Sequence, residues 1–306
     1  MPAVQGDARH APGDGVVVGT VLAVDVGGTK IAAGVVDESG SLLRSAHAPT
    51  PRAPDPEAVF TALTKAVAQV APDDAQALGV GSAGPMTIGG ETVSPLNIPG
   101  WRGFPLLARL QEEYSLPTVV DGDAKALAVG EGWKGAGAGV GSFLAMVVST
   151  GVGGGLVVDG RLLDGASGNA GHVGHVVVVP GGALCGCGSH GCLEAEISGT
   201  AIGRRLGGPA SGAGPEEVAR AGRLLGEGLA SVANLLDLSR VLVGGSVALG
   251  FGAPFFAAAN HALHDLSRLD FTGGCEVLPV GLGPEGPLVG AGGLAWRLLG
   301  HDVGVH

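Results

Sequence analysis

Three short stretches of this chain concentrate residue types that can do chemistry. The first is Asp25-Val-Gly-Gly-Thr-Lys30. Consecutive glycines bring backbone N–H groups close to a phosphate, and a neighbouring hydroxyl and ammonium add donors. Gly27, Gly28, Thr29 and Lys30 are therefore a candidate phosphate cradle. Asp25, at the end of an apolar run, is placed to hold Mg²⁺ through water, because hard cations take oxygen ligands. The competing interpretation is a tight hairpin with an ordinary lysine. An echo at Ser149-Thr-Gly-Val-Gly-Gly-Gly155 favours phosphate, since two such turns on opposed lobes would clamp one polyphosphate. Thr150 and Gly151 carry that second turn. A third, Val243-Gly-Gly-Ser246, offers Gly244 and Gly245 for an adenosine contact.

The second stretch is Gly171-His-Val-Gly-His175, followed by Cys185-Gly-Cys-Gly-Ser-His-Gly-Cys192-Leu-Glu194. Cys185, Cys187 and Cys192 with His175 supply three sulfurs and one nitrogen, a closed tetrahedral set for a structural zinc. His190 is the alternative nitrogen, disfavoured by its place inside the knuckle. The third stretch is Asp121-Gly-Asp123, at the end of a short strand. A carboxylate there opens into the cleft of an α/β sheet, where it can take a hydroxyl proton during phosphoryl transfer. Helix capping by Asp121 or Asp123 is the plainer alternative.

The elements that must position these residues follow from periodicity. Val21–Val26, Ile31–Asp37 and Ser41–Ala46 are predicted strands, and the plan recurs as Phe143–Thr150, a glycine turn over Gly151–Gly155, Leu156–Asp159 and Arg161–Leu163. Further strands are expected at Ala77–Val80, Thr118–Val120, Arg240–Gly244 and Glu276–Val280. Helices are expected at Glu57–Val70, Phe104–Tyr114, Ala124–Trp133, Glu216–Leu236 and Ala291–Leu299. Strands alternating with helices define an α/β chain of two similar lobes.

Composition excludes several classes. The 306 residues carry a formal charge of -11 with only 17 Lys and Arg, which argues against a nucleic-acid surface. No apolar run reaches membrane-spanning length, and the polar first fifteen residues lack a signal-peptide core. A cytoplasmic protein with no membrane partner is expected. The fourth cysteine, Cys275, stands alone and fits a small buried hydrophobe.

Together these motifs resemble the ROK family of sugar kinases, repressors and open reading frames, from Val21 to about Leu299. The resemblance implies an actin-like, hexokinase-type (ribonuclease H-like) ATPase fold with two lobes around a cleft. It also implies ATP, Mg²⁺ and zinc, and phosphorylation of a hexose or amino-sugar 6-hydroxyl. The implied lobes are residues 18–122 with 290–306, and residues 123–289 with the zinc knuckle, after a flexible tail over 1–17. The family's catalytic base falls on Asp123, its sugar-contacting Asn on Asn97, its zinc His, which also reaches the sugar, on His175, and its hydroxyl acceptor on Glu194. Gly122 stands where the family usually has Asn. His172 replaces the Glu of the glucokinase pattern, as in bacterial N-acetylmannosamine kinases, and is either a sugar contact or a prop for the zinc loop. The family implies a homodimer or homotetramer. A sugar-responsive repressor is the rival reading, disfavoured because 24 residues ahead of Asp25 are too few for a DNA-binding domain. A weakly active relative is the third, suggested by Gly122.

Overall fold

The structure is a computed structural model that describes residues 19–306 apart from Asp73; the tail expected over 1–17 lies outside the described residues. Two halves of the chain repeat one plan. β1 (Thr20–Val26), β2 (Lys30–Asp37) and β3 (Leu42–Pro49) form an antiparallel meander, and β4 (Leu78–Ser82) and β5 (Thr118–Gly122) add in parallel beside β1. β6 (Phe143–Val148), β7 (Val152–Val158) and β8 (Arg161–Leu162) repeat the meander, with β9 (Arg240–Gly244) and β10 (Glu276–Pro279) parallel beside β6. The sheet orders β3-β2-β1-β4-β5 and β8-β7-β6-β9-β10 are the same order twice.

Both faces of each sheet are covered, so the central strands are apolar throughout. In β1, Leu22 and Val24 face one core with Val59, Phe60, Leu63, Leu106 and Leu110 of α1 (Pro56–Ala68) and α2 (Leu106–Tyr114). Val21 and Ala23 point the other way, into a core shared with Phe143 and Ala145 of β6. That middle layer is built by α3 (Asp123–Lys134) and α9 (Gly286–Leu298). The remaining helices, α4 (Leu193–Ile197), α5 (Gly199–Leu206), α6 (Pro215–Leu236), α7 (Ser246–Phe251) and α8 (Ala253–Leu266), belong to the second lobe. Leu224, Leu225 and Leu229 of α6 and Phe255 and Leu263 of α8 meet Leu144, Met146 and Val148 there. Local signals act as expected at α1, where Asp55 accepts the Glu57 N–H at 3.0 Å and Pro56 opens the helix.

One element differs from expectation. The glycine turn over Gly151–Gly155 is short, and Gly153, Gly154 and Gly155 lie inside β7, paired with Val147, Met146 and Ala145. Their size serves packing rather than turning. A Cβ at Gly155 would lie 2.7 Å from Lys125 Cα and 2.9 Å from Ala124 C, so the first turn of α3 rests directly on the β7 backbone. The same device joins the two middle helices. A Cβ at Gly290 of α9 would collide with the Ala126 carbonyl of α3, and one at Gly130 of α3 would lie 2.9 Å from Gly286 O. At the other end of the chain, backbone bonds from His306 N to Gly160 O and from Leu162 N to His306 O, each 2.8 Å, tie the last residues to the second sheet. No helix among the described residues is long and apolar enough to cross a membrane.

An ordinary Gly→Ala change inside a helix gains up to about 1 kcal/mol of propensity. At Gly290 the neighbour is a backbone carbonyl that cannot move aside, and overpacking costs about 1–3 kcal/mol or more. Gly290→Ala is therefore expected to lower the urea midpoint, with a net loss of about 2 kcal/mol. An unchanged or raised midpoint would mean that α3 and α9 do not cross this closely.

Candidate active site and metal centre

The carboxyl ends of β1, β4 and β5 share one edge, and three residues stand in register across it: Asp25 opposite Gly81, and Gly81 opposite Asp121. Parallel strands release their chains on this edge, which is where α/β sheets build sites. Asp123 follows as the first residue of α3. The helix is capped by Gly122 rather than by an aspartate side chain, and Asp123 Oδ1 accepts the Ala124 N–H at 2.7 Å. Gly81 forms the floor between the two acids. A Cβ there would lie 3.3 Å from Asp123 Cα and 3.8 Å from Asp25 Oδ1.

Burial pushes the Asp25 carboxyl up to about 7, the charge of Asp123 adds to this, and Lys30 opposes it. Burial also raises Asp123, against the Ala124 N–H and the nearby His172, which favour its ionised form. Two half-buried carboxyls thus face each other with little positive charge between them. Such an oxygen-rich, charge-poor pair has the chemistry that suits a hard divalent cation.

The first glycine turn closes beside them. Gly27 N donates to Lys30 O at 3.0 Å and Thr50 Oγ1 donates to Gly27 O at 2.7 Å, while Thr29 and Lys30 are left exposed. Gly28 is small because Asn97 lies on it: a Cβ at Gly28 would lie 2.5 Å from Asn97 Cγ. The sequence-predicted sugar contact and the sequence-predicted phosphate turn are therefore neighbours.

On the second lobe, Ser149–Gly151 links β6 to β7, and Ser149 N donates to Gly151 O at 2.9 Å. Thr200 Oγ1 anchors Thr150 O at 2.8 Å. Glu194 Oε2 accepts the Val152 N–H at 2.9 Å, so this carboxylate sits against the second turn with its other oxygen available. Gly244 and Gly245 end the adjacent strand, and Ser246 Oγ lies 3.0 Å from Ser149 Oγ, placing the second and third turns side by side. Gly245 has φ +94° and a Cβ there would run into the Val148 carbonyl, so only glycine closes this corner. The strand that continues from the second turn comes close to the start of α3. Two residues beyond Gly151, a Cβ at Gly153 would be 3.7 Å from the Cβ of Ala124, the residue after the acid.

His172 and His175 lie in the segment that follows β8, with rings 6.2 Å apart and 18° from parallel. His172 Nδ1 is 2.8 Å from Asn169 O. A carbonyl only accepts, so Nδ1 carries a proton and Nε2 is turned the other way. That nitrogen faces Gly84, 3.7 Å from where a Cβ would stand, on the first lobe.

The donor atoms of His175, Cys185, Cys187 and Cys192 all lie within 4.8 Å of one another. Cys185 Sγ is 3.6 Å from His175 Nδ1, and Cys187 Sγ is 3.7 Å from Cys192 Sγ. Tetrahedral zinc with bonds of about 2.3 Å to sulfur sets sulfur–sulfur edges near ~3.8 Å, so the cluster fits that ion. His190 is not in this set. Gly188 at φ +89° and Gly191 at φ +72° make the reversals of the knuckle. Glu196 anchors it, accepting Ala183 N–H at 2.9 Å and pairing with Arg220. Cys275, as expected, is buried away from it.

Three residues at the site carried no expectation: Asn169, Asp164 and Lys125. Lys125 had a local cue, its four-residue spacing from Asp121 across the strand-to-helix junction. Asp164 and Asn169 had none, because their partners lie about half a lobe away in sequence.

Comparison with known proteins agrees with this architecture. The sequence model described as "ROK family" matches residues 21–296. The N-acetylmannosamine kinase of Citrobacter koseri is 36% identical over 260 residues, covering 80% of this chain and 88% of the relative. Among solved structures, a ROK family glucokinase from Streptomyces griseus, in complex with glucose and AMPPNP, is 34% identical with TM-score 0.80. It covers 91% of this chain and all of that one (100%). A ROK hexokinase from Thermus thermophilus is 34% identical with TM-score 0.76, covering 92% and 99%. The duplicated sheet, the paired glycine turns and the cysteine knuckle thus sit in a chain that belongs to the ROK family and has its actin-like, hexokinase-type fold.

Proposed function

We propose that this chain is an ATP-dependent sugar kinase that phosphorylates a hexose or amino-sugar at its 6-hydroxyl, with N-acetylmannosamine or glucose as the leading substrates. The observation that carries the reading is the position of Asp123. It stands on the strand edge beside Asp25 and next to the residue on which β7, continuing from the second glycine turn, is packed. The kinases to which the chain is similar support the same activity. A sugar-binding regulator has less support: a ROK family transcriptional regulator among the solved structures is 21% identical, against 36% for an N-acetylmannosamine kinase.

In this reading Gly27, Gly28, Thr29 and Lys30 on one side, and Thr150 and Gly151 on the other, hold the phosphates of ATP, with Gly244 and Gly245 against the adenosine. Asn97, His172, His175 and Glu194 orient the sugar. Its hydroxyl donates a hydrogen bond to the Asp123 carboxylate, which takes the proton as the oxygen attacks the γ-phosphorus. The bond from that phosphorus to the bridging oxygen breaks and ADP leaves. A carboxyl raised by burial is a stronger base than an exposed one, which suits this task. Asp25 would hold Mg²⁺, which when bound would supply positive charge beside the transferred phosphoryl group. Zinc would be held by His175, Cys185, Cys187 and Cys192 and would be structural, since the four donors leave no open position. With Nδ1 turned to the cysteines, His175 keeps Nε2 for the sugar. We place the lobe boundaries at 122/123 and 289/290, at the entry to α3 and inside α9.

A coupled assay over glucose, mannose, N-acetylmannosamine and N-acetylglucosamine tests the activity; turnover of at least one is expected. Asp123→Asn should lower kcat by about 10³-fold while ATP still binds. Turnover close to that of the unaltered chain would remove Asp123 from the role of base.

The zinc assignment predicts about one ion per chain after dialysis against a chelator. Cys185→Ser should lose it, with a fall in sugar affinity and little change in nucleotide affinity by calorimetry. A folded, metal-free chain with unchanged sugar affinity would count against the site.

The raised Asp25 carboxyl gives a pH dependence. Below pH about 7 a proton occupies the group that the cation needs, so Mg²⁺ must displace it. Mg²⁺-ADP affinity is expected to weaken as pH falls from 8 to 6, approaching tenfold per unit at the acid end. Asp25→Asn should flatten the curve. A flat curve in the unaltered chain would rule out Asp25 as the holder.

A further inference from the structure

Lys125 lies in the first turn of α3 and is 4% exposed. Its ammonium is 2.8 Å from Asp121 Oδ1, 2.6 Å from Asp164 Oδ1 and 3.5 Å from Gly168 O. Three donors meet three acceptors, which leaves none for a substrate. The acceptors come from different parts of the molecule. Asp121 ends β5 in the first sheet, and its Oδ1 also takes the Gly122 N–H at 2.8 Å, directly before Asp123. Asp164 and Gly168 belong to the segment after β8 in the second sheet.

That segment is fastened to the first lobe a second time. Asn169 Oδ1 accepts Met86 N–H at 3.1 Å and Asn169 Nδ2 donates to Met86 O at 2.8 Å. The Asn169 carbonyl in turn fixes His172. Lys125 thus joins the piece of chain that aims Asp123 to the piece that aims His172.

The energetics say why a lysine is there. Replacing a buried ion pair by an apolar side chain of similar volume is often neutral or stabilising, so stability alone does not call for this ammonium. What an apolar side chain does not supply is a directional hold on two carboxylates from two lobes. Gly122 adds to the need. The nearest atoms to its Cβ position are the methylenes of Lys125, at 3.6 to 3.8 Å, and as a glycine residue 122 contributes no side chain that could hold the junction.

We propose that Lys125 is a positioning residue that sets Asp123 and His172 in register, and through them the sugar. The kinetic part of the test rests on the sugar-kinase reading; the spectroscopic part does not.

Lys125→Met removes the charge and keeps the stem. It should fold, retain its zinc, and show at least a tenfold rise in sugar KM and a tenfold fall in kcat, with the KM for ATP within twofold. Asp164→Asn, at an exposed partner of the same contact, should shift the same parameters in the same direction and guards against misfolding of the first variant. Lys125→Arg, which keeps the charge, should recover part of the loss. Arg223→Gln, which breaks an exposed ion pair on α6, should change nothing. Independently, ¹⁵N shifts of the His172 ring should show the Nδ1–H tautomer in the unaltered chain and tautomer averaging in Lys125→Met. Sugar kinetics within twofold together with an unchanged His172 ring would overturn the proposal. If the unaltered chain phosphorylates no sugar, the kinase reading fails and the His172 signature alone decides on Lys125.

Discussion

Helix α3 has almost no space around it, and the site depends on that. On one side its backbone touches α9, where a single methyl at Gly290 would collide with the Ala126 carbonyl; on the other its first turn lies on the β7 backbone at Gly155. Contacts between backbones allow far less adjustment than contacts between side chains, which can change rotamer. The first residue of the helix, Asp123, therefore inherits a position fixed by both sheets. In its proposed role as base, Asp123 would gain from that fixity, because small displacements of a reacting group cost large factors in rate.

Electrostatics adds a second constraint. Asp25 and Asp123 share one strand edge across Gly81, and burial raises both. Left to itself this arrangement is unfavourable. In the proposed reading, cation, phosphate and sugar hydroxyl together would relieve it. The cysteine knuckle answers a different need. Its chain is too short to form a core of its own, so the Glu196 anchor and, in the proposed reading, a metal on the four donors would supply the rigidity that packing cannot.

Much of this was legible in the sequence, for local reasons. Apolar runs bounded by glycine mark β1, β2, β6 and β9, and the cysteine spacing marks the metal cluster. The misjudged element, Gly153 to Gly155, shows where local reasoning stops. Glycine there answers to α3, which lies against it in space, and a run of glycines in sequence cannot distinguish turning from close approach. Helix α8 left no expectation because its alanines and phenylalanines lack a polar stripe; its backbone instead receives Gly222 and Gly226 of α6. Lys125 was visible as a residue but not as a contact, since Asp164 is 39 positions away.

The place of α9 has a consequence for biosynthesis. This helix covers β1 and the middle core, with Leu288, Ala291, Leu294 and Trp296 beside Val21 and Ala23, yet it lies more than 250 residues downstream of them. During translation the first sheet leaves the ribosome long before the helix that seals it. Its open apolar face then invites chaperones or wrong partners until α9 has been made. The face of the first sheet behind Asp25 is closed only once α9 has been made.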